Sequence, residues 1–262
     1  MKNLYVFVTT DRPDQYLNSI VHCIKKGTTC IVLIQVEDSK NEQIQLNLLR
    51  TNVYNLLQNL SSGCYKYYTG RLKDTMVSLD TEYSTDEITK VKVQYNSCLT
   101  DNIRWEVERI KYLDMRQYIY SLKTINKDMI IDVTSVAKAY VGDIFACCLL
   151  ENISELCTFE LLVKPDFDKP WKTLIHELEE GTGYRYTNLV ETPIFKEIAK
   201  ALIIRTTPLF LSIIGTVVFL VLVLAATFIF GSNSAFTQAM STVGTVLGII
   251  SFILIYFPVR GK

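Results

Sequence analysis

The sequence predicts an α/β fold: a mostly parallel sheet with flanking helices, followed by a C-terminal two-helix transmembrane hairpin. Three observations carry this reading. Leu4-Tyr5-Val6-Phe7-Val8, Cys30-Ile31-Val32-Leu33-Ile34 and Met129-Ile130-Ile131-Asp132-Val133 are dense apolar runs of strand length, the pattern of strands buried on both faces. Between the first two, Leu17, Ile20, Val21 and Ile24 recur at helical spacing. Strand, helix and strand in close succession make a βαβ unit, and a parallel pair follows. Finally, no charged residue lies between Thr206 and Val259, 54 positions in a row.

Taken in order, Thr9-Thr10-Asp11-Arg12-Pro13-Asp14 breaks the first apolar run, and the helix after it closes on Lys25-Lys26-Gly27. Cations and a glycine suit a helix C-terminus. Residues 41–60 read as a second helix, with Leu49, Val53, Leu56 and Leu60 on one face. Residues 64–68 and 90–95 read as strands around a polar, irregular segment. Residues 101–122 read as a helix from Ile103, Val107, Ile110 and Ile119. After the strand at 129–133, Thr134-Ser135 stands where a helix N-cap belongs, and that helix runs to about residue 150. Residues 155–163 form a further strand, 171–180 a helix and 184–190 a last short strand.

The domain organisation follows: a cytosolic globular domain at 1–192, a juxtamembrane helix at 193–205, and a hairpin at 206–262 with spans at about 208–230 and 236–257. About 20 apolar residues cross a hydrocarbon core of ~30 Å as a helix. Lys196, Lys200 and Arg205 precede the first span, and Arg260 and Lys262 follow the second. The positive-inside rule then puts both termini in the cytoplasm and the turn between the spans outside. Residues 1–10 are too short and strand-like for a signal peptide. In the second span Ser241, Gly244, Thr245, Gly248 and Ser251 fall at steps of three and four. Gly244 and Gly248 make a G-x-x-x-G close-packing signature, read as packing within the hairpin or between subunits. Neither span holds an ionisable residue, which argues against a proton relay or ion transporter.

Composition excludes some classes. Acids and bases balance at 27 each, with no basic stripe for duplex nucleic acid. The seven cysteines form no C-x-x-C pair, and there are two histidines, so no metal or cofactor is expected. Reduced, buried cysteines are expected instead. Neither G-x-G-x-x-G nor a Walker sequence is present.

In an open parallel sheet, ligands bind outside the carboxyl ends of the strands where strand order reverses. Two strand ends suit that role. One is Thr9, Thr10, Asp11 and Arg12. The other runs from Asp132 through Thr134 and Ser135 to Lys138. In each, hydroxyls and free backbone N–H groups meet a helix N-terminus, which favours an anion such as phosphate, and Arg12 and Lys138 add charge. The bland alternative is that these residues are only helix caps.

Asp132-x-Thr134-Ser135-x-x-Lys138, with the polar turn at 9–14, resembles the corresponding turns of CRISPR-associated Rossmann-fold sensors. The resemblance covers about residues 1–163. It implies a Rossmann-like domain that pairs into homodimers or higher homo-oligomers and binds a cyclic di- or oligonucleotide second messenger. It also implies an effector of antiphage defence, here one that would disrupt the lipid bilayer of a bacterial or archaeal inner membrane. The expected ligand contacts are Thr9, Thr10, Asp11, Arg12, Asp132, Thr134, Ser135 and Lys138. Two other readings stand beside it. One is a membrane-tethered hydrolase of NAD or a nucleoside, using Asp11, Asp132 or Glu160. The other is an anchored interaction protein without a small ligand.

Overall fold

The computed structural model describes residues 2–38, 43–126, 128–203, 206–231 and 234–256; from 199 onward many positions are described by backbone alone. The chain forms two compact units, Met1–Phe195 and Lys196–Lys262.

The first unit begins with β1 (Lys2–Val8), α1 (Asp14–Lys25), β2 (Thr28–Glu37) and α2 (Leu46–Ser61). A small excursion follows: β3 (Cys64–Lys66), β4 (Met76–Ser78) and α3 (Thr85–Asn96). The chain returns through β5 (Arg104–Lys111), α4 (Met115–Ile125), β6 (Met129–Asp132), α5 (Lys138–Leu150), β7 (Leu156–Leu161) and β8 (Tyr184–Asn188). The main sheet has the order β5-β2-β1-β6-β7-β8. All its pairs are parallel except β7 with β8. This is the expected Rossmann-like sheet with flanking helices.

Alternation along the strands explains the two covered faces. Tyr5 and Phe7 of β1, with Val32 and Ile34 of β2, pack against Ile119 of α4 and Ile144 of α5. Leu4, Val6 and Val8, with Ile31 and Leu33, pack against Ile20 of α1 and Leu49 and Val53 of α2. The far side of α2 supports a satellite core, where Leu56 and Leu60 meet Ile88, Val91 and Tyr95 of α3, Tyr65 of β3 and Trp171.

Several sequence expectations are corrected. Residues 90–95 are not a strand but the second half of α3. Ser84 accepts a bond from the Glu87 amide while the Glu87 carboxylate takes the Ser84 N–H, a capping box that starts the helix. Ile88, Val91 and Tyr95 are its buried stripe, and Val93 is exposed. Residues 101–122 are not one helix. Arg104–Lys111 is an edge strand in register with β2, and its R-W-E-V-E-R-I-K alternation is the period-2 signal that the Ile103–Val107–Ile110 spacing masked. Thr134 and Ser135 do not cap α5, which starts at Lys138 with Ala137 at its N-cap. The expected helix at 171–180 is a single 3-10 turn, Pro170–Thr173. The helix expected at 193–205 is α6 (Pro193–Ile203); residues 204–205 lie outside the described residues.

The second unit contains α7 (Thr206–Phe230) and α8 (Ala235–Tyr256). The helices are where the hairpin was expected. Their reading as membrane spans is overturned: among the described residues, no helix is long and apolar enough to cross a membrane. The first half of α8 is interrupted by Thr237, Gln238, Ser241, Thr242 and Thr245. The transmembrane hairpin and the inner-membrane placement fall with this finding, and the lipid bilayer loses its support as a partner. At Gly244 a Cβ would meet Phe219 of α7 at 2.1 Å, so glycine permits a close approach there. A Cβ at Gly248 would meet nothing within 4 Å. Thr245 is exposed, and the side chains of Ser241 and Ser251 lie outside the described residues.

Candidate functional site

Strand order reverses beside β1. From β1 the chain moves to β2 and β5 on one side, then crosses to β6 and β7 on the other. The crevice between the carboxyl ends of β1 and β6 is therefore the switch point of the sheet. The turn after β1 carries Thr9, Thr10, Asp11 and Arg12, and the turn after β6 carries Thr134 and Ser135.

The two turns are tied together. Thr9 Oγ1 donates to the Ser135 carbonyl at 2.8 Å and accepts the Ala137 N–H at 3.0 Å. Ser135 Oγ donates to the Gln15 carbonyl at 3.0 Å, and Thr10 Oγ1 donates to Gln15 Oε1 at 2.8 Å. The first turn of α1 thus fastens both.

Asp132 points inward and is fully buried. Its carboxylate accepts from the Thr134 N–H at 3.1 Å, the Thr134 hydroxyl at 3.0 Å and the Tyr186 phenol at 2.9 Å. The Thr134 hydroxyl in turn accepts the Phe159 N–H at 2.8 Å, and Cys23 donates to Tyr186. Burial raises the Asp132 pKa to about 6, and these bonds to its charged form oppose that shift. Asp132 and Thr134 therefore shape the second turn from behind it. Of the three acids named for the hydrolase reading, Asp11, Asp132 and Glu160, Asp11 lines the cleft beside these turns.

That cleft, about 540 Å³, opens between Thr9–Arg12 and the chain entering α2, from Gln43 to Asn52. Arg12 Nη2 is held by Asp14 Oδ2 at 3.1 Å. Arg12 Nε is buried and lacks a hydrogen-bond partner. Lys138 is exposed at the start of α5. Of the eight expected contacts, the structure puts Thr9, Thr10, Asp11 and Arg12 on the cleft wall. Ser135 is joined to them through Thr9, Asp132 and Thr134 lie behind, and Lys138 stands apart at the helix start.

Sequence reasoning missed Gln15, Tyr16 and Tyr186, and the α2 side of the cleft. Tyr16 lies four residues before Ile20 and continues the apolar stripe of α1, so its burial was signalled and its polar role was not. Both histidines are partnered inside the fold. His22 Nδ1 lies 3.2 Å from the Tyr184 phenol, and His176 lies between Tyr95 and Tyr83. All seven cysteines are free. Among the described residues no group of metal-ligating side chains occurs.

No family model matches the chain, and no curated protein matches it. Three chains of known structure do. One is Enterococcus italicus Csm6 bound to cyclic hexa-2'-fluoro-hexa-dAMP, with 10% identity and a TM-score of 0.42. The match covers 99% of this chain and 59% of that one. A likeness of that size leaves function to the site itself.

Proposed function

We propose that the chain is a sensor module that binds an anionic nucleotide signal, of the cyclic di- or oligonucleotide class, in the cleft beside the switch point, between the turn after β1 and the start of α2. The observation that carries this reading is the buried, unpartnered Nε of Arg12, a residue that lines the cleft. Buried donors in native proteins are paired with protein, water or ligand, and a guanidinium matches a phosphate. The setting is antiphage signalling, as the sequence resemblance implies.

The test is thermal stabilisation of the full chain against cyclic di- and oligonucleotides and NAD. A ligand at 100 times its Kd adds about 2.7 kcal/mol. One cyclic nucleotide should stabilise the chain without being consumed, and Arg12→Ala should remove the effect. Stabilisation that survives Arg12→Ala sinks the assignment. Consumption of NAD moves the function to hydrolysis.

A further inference from the structure

We infer that Tyr16 is a positioning residue for this site, and that it withholds the amides of Thr9 and Thr10 from the ligand. The inference rests on the switch-point reading above.

In phosphate-binding turns at strand ends, successive backbone N–H groups point at the ligand. Here two successive amides of that turn converge on a protein oxygen. The Thr9 N–H and the Thr10 N–H donate to the Tyr16 phenol oxygen at 3.2 and 3.0 Å. The phenol donates in return to the Thr10 carbonyl at 2.9 Å. Tyr16 is fully buried in the α1 face of the core. Its oxygen stands where an anion oxygen would stand in an open amide nest.

Two consequences follow from the connections. The phenol fixes the backbone that carries Thr9, and the Thr9 hydroxyl spans to Ser135 and Ala137. One buried side chain of α1 therefore sets the shape of both turns. With the amides of Thr9 and Thr10 engaged, the guanidinium of Arg12 is the cationic donor that the first turn offers a ligand. Binding through a cation is salt-sensitive, with about 0.7 lost from the slope of log K against log salt for each single-strand phosphate contact removed.

The experiment uses the full chain, a cyclic dinucleotide and a linear trinucleotide as probes, and the variants Tyr16→Phe and Arg12→Ala. Nitrogen-15 NMR follows the Thr9 and Thr10 amides and the Arg12 Nε–H during titration, beside affinity and unfolding temperature. In the wild type the Arg12 Nε–H should move on binding while the two amides stay near their starting positions. Tyr16→Phe should weaken the probe about tenfold, the size of one lost hydrogen bond, with a cooperative unfolding transition retained. Arg12→Ala should weaken it and flatten the salt slope. Large probe-induced shifts of the Thr9 and Thr10 amides overturn the inference. So does unchanged affinity in a folded Tyr16→Phe, and in that case loss of binding in Arg12→Ala leaves the switch-point reading standing. Unaltered binding in both variants overturns the two together.

Discussion

The first unit contains two buried polar nodes made of similar parts. At one, Asp132 accepts bonds from Thr134 and from the Tyr186 phenol. At the other, His176 sits between the phenols of Tyr95, 2.8 Å from Nδ1, and Tyr83, 3.3 Å from Nε2. Burial disfavours the charged form at both. It raises the Asp132 pKa to about 6 and lowers that of His176 to about 4. The difference lies in what each node holds. Asp132 ends β6 and holds the turn that Thr9 bridges. His176 joins α3 to the segment after Trp171 within the satellite core, away from the strand ends. Burial and hydrogen bonding alone do not mark a functional node; connection to the switch point does.

The largest effect that would break the comparison is Asp132→Ala. It strands the Thr134 N–H, the Thr134 hydroxyl and the Tyr186 phenol, and should cost about 4 kcal/mol in urea unfolding, with ligand binding lost. His176→Ala should also destabilise the fold but leave affinity unchanged in the molecules that remain folded.

The pH dependence should run in opposite directions at the two nodes. As pH falls, the unfolded chain protonates His176 near 6.5 and the folded chain only near 4, so stability is lost across that window. Asp132 is protonated in the folded chain near 6 and in the unfolded chain near 3.8, so its contribution is present at low pH and is lost as pH rises through 6. Each amounts to about 3 kcal/mol, and in the wild type they offset one another. Asp132→Asn should therefore make stability fall more steeply between pH 6.5 and 4, whereas His176→Gln should make it rise as pH falls. Unfolding free energies at three pH values check both.

The next effect is Thr134→Val, which removes a donor to Asp132 and the acceptor of the Phe159 N–H, and should cost about 2 kcal/mol. The smallest and sharpest is a matched pair. Tyr186→Phe and Tyr95→Phe each remove one phenol and should each cost about 1 kcal/mol, read by thermal unfolding. Only the first should weaken the nucleotide probe.

What could be read in the sequence follows from where the signal resides. β1, β2 and β6 are buried on both faces, so their apolar runs declare them, and the two polar strand ends followed from those runs. β5 lies at the sheet edge, where half its residues are solvated and its pattern competes with a helical one. α3 announced itself through Ser84-Thr85-Asp86-Glu87, a local signal overlooked beside the alternating Lys90–Tyr95. The contribution of α1 to the site was not legible, because the bond from a phenol to two amides depends on the turn's conformation. Tyr186 reaches Asp132 only because β8 pairs with β7 across the edge of the sheet. The helices α7 and α8 were found from hydropathy, and that same hydropathy carried the membrane reading that the described residues do not support.

The reversed final strand has a practical consequence. Because β8 runs against β7, Asn188 lies beside Cys157 at the start of that strand, while Tyr184 lies beside Leu161 at its end. Cys157 in turn pairs with Asp132 and Asp132 with Val6, so the chain leaves the sheet level with the end of β6 but three strands to the side of β1, about 14 Å away across the sheet. A fluorophore coupled to a cysteine introduced at Glu191 or Thr192 would stand clear of an incoming ligand. Any change in its emission on titration would then report motion relayed through the sheet rather than direct quenching.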